Sequence, residues 1–139
     1  MRQEASSGVA QGKQPGESWL THLFRAGHFS LSGLGATFRH EVAFRIEVSI
    51  FLVSLPIVIL LPVGLMLKAL LVASMLFVLI VELLNSSLEW IVDYISLEQH
   101  PYAKRAKDMG SAAVLLASIN SGLFWLLALA QAFGGVPSS

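Results

Sequence analysis

Four polar side chains recur at helical spacing directly behind a long apolar run: Glu82, Asn85, Glu89 and Asp93 in "VELLNSSLEWIVD", residues 81–93. At 100° per residue they fall within an arc of about 80° on one helix face. Reading back from Val81, no charge occurs before Lys68. Glu82 is therefore expected deepest in the apolar zone, one turn below Asn85 and about two below Glu89, with Asp93 nearest the water. An acidic side chain at that depth is costly and by default marks a functional site. A carboxylate held away from bulk water suits general-base work. The shallower carboxylates carry the hard oxygens that Mg²⁺ prefers when it also holds phosphate.

Two further clusters flank this face in the chain. "RHEVAFRIE" brings Glu41 and Glu47 with Arg45 between them, and "KRAKDMGS" brings Lys104, Arg105, Lys107 and Asp108. An acidic face, a basic loop and a deeper carboxylate would suit phosphoryl transfer, where catalysis is mostly positioning and charge neutralisation. No Walker-type Gly-Lys-Ser/Thr loop occurs, and "GLGATF" is too short for a dinucleotide fingerprint. From the residues alone, the same face could line a proton or ion path, or pair with Arg and Lys at a helix–helix contact. Asp93 and Glu98 would each suit a solvated face, and Lys104 and Arg105 could serve only as topology signals. The four histidines lack metal-ligand spacing, and there are no cysteines.

The elements that must position these clusters follow from composition. The chain has 139 residues, 55% of them hydrophobic and only 13% charged, with a mean hydropathy of +0.69. A soluble domain of this length exposes too much of its surface to hide that apolar content, so lipid is the expected solvent. Residues 1–16, rich in Gly, Gln and Ser, are expected to form a disordered tail, and residues 17–139 a single membrane domain. Over 17–39, Trp19, Leu20, Leu23, Phe24, Leu31, Leu34 and Phe38 recur at roughly helical spacing among His22, Arg25, His28 and Arg39. That pattern predicts an amphipathic helix lying in the membrane interface.

Three transmembrane helices are expected after it, at about 42–61, 65–95 and 104–133. The uninterrupted stretch 48–67 is uncharged and long enough for a hydrocarbon core of about 30 Å. Pro56 need not break the first span, and "LPVGL", residues 61–65, supplies Pro and Gly for a tight turn. A polar connection is expected over Ser96 to Asp108, with the His100–Pro101 pair ending any helix. Arg25, Arg39 and Arg45 precede the first span, and Lys104, Arg105 and Lys107 lie between the second and third. The positive-inside rule then places the N-terminus and this connection in the cytoplasm. Ala112, Ala113, Ala117, Ser118, Ser121 and Gly122 give the third span small-residue faces for close packing. Oligomerisation is the simplest shelter for Glu82 and Asn85.

The segment "VELLNSSLEWIVDYISLEQHPYAKRAKDMGSAAVLLASI" resembles the signature of the prokaryotic diacylglycerol kinases, integral membrane lipid kinases unrelated to soluble kinases. "EVAFRIE" is similar to the element preceding that family's first span, and the resemblance covers about residues 20–133. It implies an all-α homotrimer in the bacterial inner membrane, with sites formed between subunits, ATP as co-substrate, Mg²⁺ as cofactor and no nucleic-acid partner. Carried over by position, Glu82 would be the base that deprotonates the lipid hydroxyl, with Asn85 supporting it. Glu41 and Glu89 would hold Mg²⁺ on the ATP phosphates. Lys107 would neutralise phosphate charge, with Asp108 beside it. Glu98, Gln99 and His100 would contact nucleotide, as would His22 and Phe29. Glu47 and Ser111 would lie near the lipid.

The chain departs from that pattern at His22, where the family often has Arg, and at Phe29, where it has an aromatic hydroxyl. Leu31 and Gly35 stand in place of its Trp and basic residue. The implied activity is phosphorylation of 1,2-diacylglycerol to phosphatidate. The alternatives are undecaprenol kinase on the same fold, and a non-enzymatic or proton-conducting bundle.

Overall fold

The computed structural model describes residues 18–95 and 100–134, and every regular element among them is a helix: α1 (Trp19–His40), α2 (Val42–Leu60), α3 (Leu65–Ile95) and α4 (Pro101–Phe133). The tail expected over 1–16 lies outside the described residues, as do Glu98 and Gln99. The chain forms two compact units, Met1–Gly35 and Ala36–Ser139. In the first, Ser18 caps α1: its Oγ accepts from the Thr21 N–H at 3.4 Å, and its carbonyl accepts from His22 N at 3.1 Å. The helix runs unbroken through Gly27, Gly33 and Gly35.

In the second unit α3 packs against both α2 and α4. Helices α2, α3 and α4 are each long and apolar enough to cross a membrane. The α2–α3 turn is built from "LPVG". Leu61 leaves helical conformation at ψ 132°, and the Val63 N–H donates to the Leu61 carbonyl at 2.9 Å. A helix C-terminus leaves carbonyls without intrahelical partners. Here the Lys68 ammonium donates to the Ile59 carbonyl at 2.6 Å, a cation at the negative end of the α2 dipole. Helix α2 continues through Pro56.

The buried apolar cluster sits at this end of the unit. Val58 and Leu61 of α2 and its following turn meet Leu67, Leu71 and Met75 of α3 and Ala128 of α4. Leu71 and Ala128 are fully buried. Ala128 opposes the start of α3 while Lys107 pairs with Asp93 near its end, so α3 and α4 run antiparallel. Midway, Ser74 and Ser121 share a buried hydrogen bond at 3.2 Å. Small side chains let the two helices approach there. Of the small residues expected to make close faces, Ala117 and Ser121 are buried, while Ala112, Ala113, Ser118 and Gly122 stay exposed.

The His100–Pro101 pair starts a helix rather than ending one. Pro101 is the first residue of α4, where its missing N–H costs nothing and its φ suits helix. His100 takes the capping position, its Nδ1 accepting from the Tyr102 N–H at 3.3 Å. Tyr102 through Asp108 are therefore helical, and the polar connection is shorter than expected.

Candidate active site

The site is assembled at the end of α3 remote from the apolar cluster. Glu82 is buried, only 5% exposed within a single chain. The single chain thus shelters Glu82 by itself. Asn85 and Glu89 follow on the same face and are half-buried. The Asn85 amide donates to Glu89 Oε1 at 3.3 Å and also interacts with Glu82. Its Oδ1 is buried without a hydrogen-bond partner. That oxygen lies over Gly110 of α4, where any Cβ would collide with it. Gly110 therefore has a role as a gap for the Asn85 side chain, which the sequence reading did not assign.

Glu41 comes from a break in the chain. It is the single extended residue between α1 and α2, with φ −102° and ψ 117°, and occupies the N-cap of α2 without a side-chain capping bond. Its carboxylate instead accepts from the Trp90 indole N–H on α3. Glu41 and Glu89 both act electrostatically on Glu82. Arg45, one turn along α2, donates to the Arg39 carbonyl at 3.2 Å. That bond ties the start of α2 to the last turn of α1.

Glu47 lies deeper on α2, half-buried, with Oε2 lacking a hydrogen-bond partner. It feels the Glu82 charge and lines a cavity of about 220 Å³ with Phe51, Met75, Leu79, Ser118 and Ser121. The cavity is mostly apolar, and Glu47, Ser118, Ser121 and Trp125 are the lining residues that carry polar side-chain atoms. Ser111, on α4, is exposed.

The basic cluster is organised by ion pairs. Lys107 donates to both oxygens of Asp93, each at 2.9 Å. Asp93 is therefore a helix-to-helix partner rather than only a solvated acid. Lys104 pairs with Asp108 at 2.6 Å, one turn apart on α4, and Arg105 lies over the Tyr102 ring at 5.8 Å. His100 lies beside the same ring at 5.4 Å. His22 and Phe29 are exposed on α1 within the first unit, and Phe29 meets the His28 ring edge-on at 6.2 Å.

Sequence reasoning found the carboxylates because charge inside an apolar run is visible by eye. It missed Trp90 and Gly110, whose roles depend on which side chain faces them from another element. The one available signal for Trp90 was its position next to Glu89 in "SSLEWIVD".

Comparison with known proteins gives the family of the chain. The family model of prokaryotic diacylglycerol kinase matches residues 28–129. The diacylglycerol kinase of Pseudomonas aeruginosa is 48% identical over 102 residues, covering 73% of this chain and 83% of that protein. The Escherichia coli K12 diacylglycerol kinase is 42% identical over 115 residues, covering 83% and 94% respectively. That of Haemophilus influenzae is 40% identical over 106 residues, covering 76% and 90%. With its carboxylate face and paired lysines inside the matched region and three membrane-length helices, the last of which ends just beyond it, the chain belongs to the prokaryotic diacylglycerol kinase family.

Proposed function

We propose that this protein transfers the γ-phosphoryl group of ATP to the free hydroxyl of 1,2-diacylglycerol, giving phosphatidate and ADP at the cytoplasmic face of a bacterial inner membrane. The observation that carries the reading is the buried Glu82 carboxylate within electrostatic reach of Glu41 and Glu89, in a chain whose relatives are diacylglycerol kinases. The hydroxyl oxygen attacks the γ-phosphorus, the bond to the β–γ bridging oxygen breaks, and the hydroxyl proton passes to Glu82. Asn85, bonded to Glu89 and lodged over Gly110, holds the base in place. Lys107, whose ammonium carries three N–H donors, two of them directed at Asp93, offers the third to phosphate oxygen. Asp108 and His100 lie on the same stretch of α4 and its cap and, with Glu98 and Gln99, are the proposed nucleotide contacts; the assignments of His22 and Phe29 rest on the family resemblance alone. Glu47 and Ser111 face the lipid, whose chains the apolar cavity beside Glu47 would suit.

The residues present fit Mg²⁺. Among the described residues no group of three or more acidic or histidine side chains encloses a cation. Mg²⁺ in a phosphate site is commonly held by only one or two carboxylates, with phosphate and water completing its shell. Glu41, not consumed by helix capping, and Glu89 would be those two. When bound, the ion would neutralise charge on the phosphates.

We place the N-terminus and the start of α4 in the cytoplasm, with α1 in the interface and the chain in a homotrimer. The exposed small residues Ala112, Ala113 and Gly122 on α4 would suit subunit packing. The decisive experiment is transfer of labelled γ-phosphate to diacylglycerol, and separately to undecaprenol, by the intact protein and by Glu82→Gln in mixed micelles. Transfer to diacylglycerol should fall at least about 10²-fold in the variant while assembly is unchanged. Transfer to undecaprenol alone would keep the chemistry and reassign the substrate. No transfer to either by a well-assembled protein would make the face a helix contact or ion path.

A further inference from the structure

Trp90 is the aromatic side chain whose polar atom is committed to the site. Its indole N–H donates to Glu41 Oε1 across 49 residues of chain, from the C-terminal half of α3 to the extended residue between α1 and α2. The His40 and Trp90 rings pack in a T-shaped pair, centroids 5.7 Å apart at 73°, which limits rotation of the indole. Three facts make the arrangement more than an aromatic anchor. An interfacial tryptophan serving only as an anchor places its N–H among lipid headgroups, whereas this one reaches a carboxylate. Glu41 stands at the N-cap of α2 but does not cap it, so the Trp90 bond, not its own helix, orients the carboxylate. Trp90 also directly follows Glu89 in the chain, so one turn of α3 carries one acidic group and holds the other.

We propose that Trp90 is a positioning residue for the cation site: its N–H occupies one lone pair of Glu41 and fixes the orientation in which that carboxylate would meet a cation held with Glu89. The inference rests on the kinase reading above. Neutral donors behind metal-binding groups fix orientation in this way, and their loss typically costs 10- to 100-fold in affinity or activity. Trp90→Phe keeps the ring and removes only the donor. A carboxylate released from that bond samples several orientations and meets a divalent cation less often in the right one.

The test uses the full chain in detergent micelles with a non-hydrolysable ATP analogue, and Mn²⁺ as a paramagnetic probe of tryptophan emission. The chain has three tryptophans, so the Trp90 contribution is the difference between wild type and Trp90→Phe. Saturable quenching of that component, lost in Glu41→Gln, is the expected result. In activity assays Trp90→Phe should raise the Mg²⁺ concentration for half-maximal rate roughly 10-fold, with kcat at saturating Mg²⁺ little changed. Absence of quenching on Trp90, or an unaltered Mg²⁺ dependence in an active Trp90→Phe protein, overturns the inference and leaves the kinase reading standing. A wild-type protein that phosphorylates no lipid overturns both.

Discussion

Glu82, Asn85 and Gly110 form a chain of dependence that makes single substitutions informative. The base is sheltered, the amide beside it bonds Glu89, and the gap at Gly110 admits the amide oxygen. Gly110→Ala places a methyl group against that oxygen, and the cheapest relief is rotation of the Asn85 side chain. Alanine improves helix propensity by about 1 kcal/mol over glycine, so thermal stability should change little. Phosphotransfer should nevertheless drop several-fold, and Asn85→Ala combined with Gly110→Ala should be no worse than Asn85→Ala alone. A double-mutant cycle in kcat/KM reads this directly, and strict additivity would separate the two residues.

Between helices, α3 and α4 are held by contacts of different worth. The Ser74–Ser121 pair is buried in the apolar zone, where interhelical hydrogen bonds average about 0.6 kcal/mol. Ser121→Ala should therefore lower unfolding free energy by only about that amount. Ser121→Leu forces a large side chain into a buried contact between the helices and should cost about 1–3 kcal/mol. Denaturation in detergent, followed by helicity, distinguishes the two. Leu71→Ala, at a fully buried position, should cost about 2–5 kcal/mol. Those losses would come from the apolar end, remote from Glu82, so enzyme that remains folded should retain its Mg²⁺ dependence. The Asp93–Lys107 pair is different, because both partners are substantially exposed. Asp93→Asn should leave stability nearly unaltered while shifting the apparent KM for ATP, since Lys107 loses the partner that orients it.

Across the molecule, topology and assembly can be read from one property: the chain has no cysteine, so single introduced thiols report position without background. With the N-terminus cytoplasmic, Pro62→Cys in the α2–α3 turn should react with an impermeant maleimide added outside spheroplasts, and Ser18→Cys should react only after lysis. The reverse pattern would invert the orientation. The chain of 15.0 kDa should run in native mass spectrometry as a complex of three copies; a monomer with full activity would mean that one chain completes the site.

Much of this protein was legible along the chain because lipid is a demanding solvent. Three long apolar stretches, a Pro-Gly turn and positive charges on one side lead to membrane-length helices, since nothing else satisfies the backbone in hydrocarbon. Charges inside such stretches stand out, so Glu82, Asn85 and Glu89 could be named from period alone. The helix start at Pro101 was misread, because proline permits a first turn as readily as it prevents a continuing one. Pairings across elements were not legible either. That Lys107 meets Asp93, that Trp90 holds Glu41 and that Asn85 rests on Gly110 depends on the antiparallel packing of α3 with α4 and on the backbone break at Glu41. Helical period tells which side chains share a face; only packing tells what that face meets.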